Sequence, residues 1–183
     1  MSFEELEVLP EIRQALVELG YNEPTSIQQQ AIPLIKAGKD LIGISKTGSG
    51  KTAAFGIPLL EKIVPKQGIQ ALIIAPTREL AVQIAEELKK FSAHRRCFIA
   101  TIFGGVALDP QREQLTRAEV VVGTPGRLKD HLDRGNLDLS GIRCAVLDEA
   151  DKMVEMGFIE DIEYILNYTP AQRQVLLFGA TIS

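Results

Sequence analysis

What this chain has little of narrows its identity before any motif is read. It carries only two cysteines, Cys97 and Cys144, and two histidines, His94 and His131. With no second cysteine pair and the histidines scattered, nothing nominates a cysteine–histidine metal site, and both thiols read as buried or idle members of apolar runs. No apolar run nears the roughly 20 residues that cross a bilayer. The N-terminus, Met1-Ser2-Phe3-Glu4-Glu5, is acidic where a secretion signal would be basic. A cytoplasmic protein without a membrane partner is expected. Bulk positive charge is also lacking: 20 Lys and Arg against 24 Asp and Glu leave a net charge of -4. Any contact with a polyanion must therefore be local. Repeats, low-complexity tracts and linker-like stretches are absent as well. What remains is 183 residues, 45% hydrophobic and 24% charged, the make-up of one compact domain with a real core.

Short apolar runs recur at Leu41–Ile44, Ala71–Ala75, Phe98–Ile102, Val120–Val122, Ala145–Leu147 and Val175–Phe178. They do not alternate, so both faces of each are expected to be buried. Between them, helical spacing runs over Ile27–Ala37, Thr52–Val64, Glu79–Phe91, Gly126–Asp133 and Ile159–Leu166, with a further helix over Leu9–Leu19 before the Gly20–Pro24 turn. Strands alternating with helices make an α/β fold, a mostly parallel central sheet with helices on both faces. In such folds ligands gather at the carboxyl ends of the strands, so the residues after each apolar run carry the information.

After the first run comes Ser45-Lys46-Thr47-Gly48-Ser49-Gly50-Lys51-Thr52, leading directly into a helical stretch. Strand, glycine-rich loop and helix in that order are the context of a Walker A phosphate loop. Gly48 and Gly50 let the backbone curl so that N–H groups face phosphate oxygens at the positive end of the helix. Lys51 offers a point charge to the β- and γ-phosphates, and the Thr52 hydroxyl suits Mg²⁺. Ser45 stands where glycine or alanine is usual, a small departure. A glycine-rich turn without ligand is the competing reading, and the strand–loop–helix context disfavours it.

The run ending at Leu147 leads into Asp148-Glu149-Ala150-Asp151. Alone, such a tetrapeptide is more often a solvated turn. Beside a phosphate loop, a strand closing on Asp-Glu reads as a Walker B arrangement, with Asp148 holding Mg²⁺ and Glu149 polarising the attacking water as general base.

These residues spell D-E-A-D, and further matches follow in order from Phe3 to the end of the chain. The sequence resembles the N-terminal RecA-like domain of DEAD-box RNA helicases. The resemblance reads residues 1–183 as one RecA-like domain, with a Q motif at 20–28, Walker A at 45–52, motif Ia at 76–81, motif Ib at 124–127, the DEAD segment at 148–151 and motif III at 179–181. By the same resemblance, Gln28 selects the adenine edge of ATP, which suits an amide that donates and accepts at once, and Tyr21 stacks on the ring. Pro76-Thr77-Arg78, the pair Gly104-Gly105, and Thr124-Pro125-Gly126-Arg127 are implied to hold an RNA backbone. Their N–H groups, hydroxyls and arginines suit phosphate oxygens without reading bases. Read singly, each is as well a capped helix start carrying a surface arginine.

Gly179-Ala180-Thr181 stands where the family usually has Ser-Ala-Thr. That triplet contacts the DEAD segment in the family, so the missing hydroxyl removes one possible bond to Asp151, and the coupling of turnover to strand separation is in doubt. Lys89-Lys90 with Arg95-Arg96 reads as a complement to a helix C-terminus before it reads as an RNA contact. The resemblance also implies a second RecA-like domain that closes the RNA site and supplies arginines to the γ-phosphate, so that this half alone binds nucleotide but turns it over poorly. Stopping just after a buried strand suits the edge of a longer protein. The alternative is a stand-alone ATP- and RNA-binding adaptor without turnover.

Overall fold

In the computed structural model of the chain, residues 1–46 and 48–181 are described. Six strands form one sheet: β1 (Leu41–Ile44), β2 (Ala71–Ile74), β3 (Ile99–Ile102), β4 (Val120–Gly123), β5 (Cys144–Leu147) and β6 (Gln174–Gly179). Their order across the sheet is β1-β6-β5-β2-β4-β3, and every pairing is parallel. Among the described residues, α1 (Pro10–Glu18) and α2 (Ser26–Lys36) precede β1, and six helices fill the connections: α3 (Lys51–Glu61), α4 (Arg78–Phe91), α5 (Leu108–Leu115), α6 (Pro125–Asp133), α7 (Ala150–Glu155) and α8 (Ile159–Leu166).

Pleating sends successive strand side chains to opposite faces, and two cores result. Ile73, Val120 and Val122 join Ile12, Ile32, Phe55 and Leu88 from α1 to α4. Leu72, Ile74 and Val121 join Leu115, Leu128, Met153 and Ile162 from α5 to α8. No described helix is long and apolar enough to cross a membrane.

The structure corrects two expectations. α5 and α7 were not anticipated. The inward side of α5 is carried partly by a buried polar residue, Gln111, which interrupts the apolar period, and α7 is six residues long with Met153 as its buried anchor. The other correction concerns β1, which is not buried on both faces: Ile42 and Ile44 are 59% and 60% exposed. β1 is an edge strand, paired to β6 alone, and the face carrying these two side chains is open.

Candidate functional site

The sheet order divides its carboxyl edge in two. The loops after β1, β6 and β5 lie together on one half, and those after β2, β4 and β3 on the other.

On the first half, β1 runs into the glycine-rich loop and α3 begins at Lys51, capped by Gly50 in the left-handed region (φ 84). Gly48 has φ 83. Gly50 is required twice over, because a Cβ there would lie 2.5 Å from Gln28 Nε2. Thr47 lies outside the described residues, and Lys46 is exposed. Lys51 Nζ sits 3.0 Å from Asp148 Oδ1, which also accepts the Glu149 N–H at 2.9 Å. Asp148 is fully buried, and burial pushes its carboxyl above the ordinary range, with Lys51 opposing. Among the described residues its second oxygen has no partner, nor do the buried hydroxyls of Ser45 and Ser49. Buried polar atoms without partners are rare. Here three oxygens stand unmatched on the phosphate loop and the acidic loop.

Glu149 caps α7 in the left-handed region (φ 51, ψ 48), a conformation that costs a non-glycine residue about 1–3 kcal/mol. Its carboxylate is 3.2 Å from Lys152 Nζ. Asp151 is clasped from β6: its Oδ2 accepts the N–H groups of Ala180 and Thr181, each at 3.2 Å, and the Thr181 hydroxyl at 3.3 Å. Burial raises the Asp151 carboxyl, but these donors and the Lys152 N–H outweigh it and hold the group below its usual range. The clasp therefore forms without a serine at 179. A Cβ at Gly179 would lie 2.9 Å from Asp151 Oδ1, so the glycine is what lets the carboxylate approach.

Gln28 does more than the sequence suggested. It is 1% exposed; its Oε1 accepts the Thr25 N–H at 2.9 Å and its Nε2 donates to the Gly50 carbonyl at 3.1 Å. These two bonds leave one N–H and one lone pair of the amide unused. Gln28 is thus a strut between the start of α2 and the phosphate loop. Tyr21 packs edge-on against Phe91, ring centroids 5.7 Å apart, and burial followed by Glu87 raises its phenol. Sequence reading missed Glu87 of α4, near Thr52, whose carboxyl burial holds above its ordinary range. Nothing in the sequence distinguishes it from Glu86.

On the second half, a cleft of about 450 Å³ is lined by Pro76, Arg78, Gly104, Thr124, Pro125, Gly126, Arg127 and Phe158. Phe158 was another omission, an aromatic face beside loops read as purely polar. Thr77 caps α4, accepting the Leu80 N–H at 3.2 Å, so its hydroxyl is partly spent on the helix start. The Arg78 guanidinium lies 4.6 Å over the Phe103 ring. Gly105 adopts φ 84. Arg127 donates to the Val106 carbonyl at 2.9 Å and to Gln111 Oε1 at 3.1 Å. Of the basic cluster, Lys89 and Lys90 lie in the last turn of α4, whereas Arg95 complements the end of a different helix, α3, through the carbonyls of Leu60, Glu61 and Ile63. Burial pushes both thiols, Cys97 and Cys144, up to about 12.

Set against known proteins, residues 25–183 match the family model described as DEAD/DEAH box helicase. The chain belongs to that family. It is 50% identical over 183 residues to the DEAD-box ATP-dependent RNA helicase CshA of Geobacillus kaustophilus, a match that takes in 99% of this chain and 39% of the relative. A crystal structure of a DEAD box protein from the hyperthermophile Methanococcus jannaschii superposes with TM-score 0.97 at 44% identity, over 100% of this chain and 51% of that one. A hypothetical ATP-dependent RNA helicase from Sulfolobus tokodaii gives TM-score 0.86 at 41% identity, over 94% and 50%. The fold is accordingly the RecA-like fold of DEAD-box proteins, and the chain spans well under two thirds of these relatives' lengths.

Proposed function

We propose that residues 1–183 form one RecA-like domain that binds ATP with Mg²⁺ at the ends of β1, β6 and β5 and grips single-stranded RNA along the ends of β2, β4 and β3. In the full-length protein it would work in the cytoplasm with a second RecA-like domain, hydrolysing ATP and locally opening RNA duplexes.

The observation that carries this reading is the Lys51–Asp148 pair, with a fully buried carboxylate whose other oxygen lacks a partner among the described residues. A buried pair of this kind is poor stabilisation on its own terms. It makes sense as a resting arrangement. With nucleotide bound, Lys51 would face the β- and γ-phosphates in place of Asp148, and Asp148 and Thr52 are the residues that would hold Mg²⁺. Hard oxygen donors in small number suit that ion, which keeps several waters. When bound, Mg²⁺ neutralises charge on the phosphate oxygens. Glu149 accepts a proton from the attacking water. Gln28 offers its remaining donor and acceptor to the adenine edge beside Tyr21. Asp151, tied to Ala180 and Thr181, carries the nucleotide state to β6. On the other half, Arg78, Arg127 and the loop N–H groups meet phosphates without reading bases, so RNA preference would come from 2′-hydroxyl contacts. An arginine from the second domain completes the γ-phosphate site, a type of contribution worth about 10³ to 10⁵ in rate in related P-loop enzymes.

Calorimetry with ATP or ADP and Mg²⁺ on this domain tests the core of the reading. Lys51→Ala should abolish binding; an unchanged isotherm would remove the phosphate-loop assignment.

A further inference from the structure

We propose that Gln111 is a positioning residue for the RNA grip, one buried amide that holds all three gripping segments in register. The inference rests on assigning the cleft to RNA. Gln111 lies on α5, behind the cleft, and is 3% exposed. Its Nε2 donates to the Phe103 carbonyl at 2.8 Å. Its Oε1 accepts Arg127 Nη1 at 3.1 Å and lies 3.0 Å from His131 Nε2. Arg127 Nη1 also reaches the Val106 carbonyl at 2.9 Å. The Gly104-Gly105 turn is thereby tied at both ends, Phe103 by Gln111 and Val106 by Arg127. The Phe103 ring lies under Arg78. The segments after β2, β3 and β4 thus converge, directly or through one intermediate, on a single side chain.

His131 completes the network. It is fully buried, and its Nδ1 is 3.2 Å from the Asn136 amide nitrogen, a donor, so the neutral ring carries its proton on Nε2 and donates to Gln111. The chemistry explains why an amide stands here: one N–H must be given to a carbonyl while the oxygen takes two donors, one of them charged. The two glycines contribute no side chains to hold their own turn. Without these ties, the turn and Arg127 would have to be ordered during binding, which costs affinity.

The test measures anisotropy of a fluorescein-labelled single-stranded oligouridylate and, in parallel, binding of mant-ADP to the same domain. Gln111→Ala should weaken RNA binding by roughly tenfold, the scale of one lost hydrogen bond to a charged group, with mant-ADP binding unchanged. Gln111→Glu keeps the acceptor for Arg127 and His131 but sets a carboxylate oxygen against the Phe103 carbonyl, so it should free the Gly104-Gly105 turn and weaken RNA binding as well. If both variants hold RNA like the parent while Arg78→Ala weakens it, Gln111 has no such role, although the cleft still binds RNA. If Arg78→Ala also changes nothing, the RNA reading of the cleft fails and this inference with it. Parallel loss of RNA and mant-ADP binding in both Gln111 variants would mark a residue needed only for folding and would equally overturn the proposal.

Discussion

Gly179 shows how one residue can be misjudged from sequence and clarified by contacts. As a departure from serine it suggests a lost bond; in the structure, Asp151 has three donors and the glycine's lack of a side chain lets its carboxylate come close. Gly179→Ala should therefore push the Asp151 carboxylate aside at a cost of up to about 1 kcal/mol, because the crowded atom is the end of a flexible side chain. Gly179→Ser should recover part of that, because its hydroxyl can donate to the same carboxylate. Urea midpoints of the two variants decide the matter, and equal midpoints would count against this account. That Lys51 and Asp148 would come together was legible because their residue types and spacing carry chemistry. Gln28 as a strut, Glu87 near Thr52, and Phe158 in the cleft were not, since each acquires its part from a neighbour remote in sequence.

Elements were legible where hydrophobic period was strong and hidden where a polar side chain took an inward position. α5 presents Leu108, Gln111 and Leu115 at helical spacing, and the buried glutamine reads as a break. The partner of that glutamine on α6, His131, makes the packing of these two helices sensitive to pH. Burial, and then Arg127, hold the imidazole below its ordinary value of 6.5. The unfolded chain therefore takes up a proton near 6.5 that the folded chain refuses until lower pH, so stability falls as pH drops through 6.5 and levels off below the folded value. Urea midpoints at about pH 7.5 and about pH 5.5 should differ more for the parent than for His131→Gln, which keeps a donor toward Gln111 and does not titrate. Equal differences in the two proteins would contradict this. β1 is the opposite case: its apolar run reads as doubly buried, and only its place at the sheet edge leaves Ile42 and Ile44 exposed.

At the scale of the whole molecule, the strand order separates two kinds of site along one edge and joins them at the β5–β2 boundary, where the Asp148 N–H donates to the Ile74 carbonyl at 2.9 Å. Movement at the acidic loop is thus one hydrogen bond from the strand that leads to Arg78. In the full-length protein, Glu149→Gln should keep nucleotide affinity and lower RNA-stimulated phosphate release by about 10² to 10⁴, the usual share of a general base. Release at the normal rate would remove that role from Glu149. Stimulation by DNA equal to that by RNA would set aside the RNA reading.

Composition, period and motif spacing determined the fold class, the family and the chemical character of each loop, because these depend on residue type and on neighbours close in the chain. The tertiary structure alone decided which loops share a half of the sheet, that Gly179 admits Asp151, and that Gln111 stands behind three loops at once. Those facts follow from strand order and side-chain packing between segments far apart in sequence, and local pattern carries no record of such pairings.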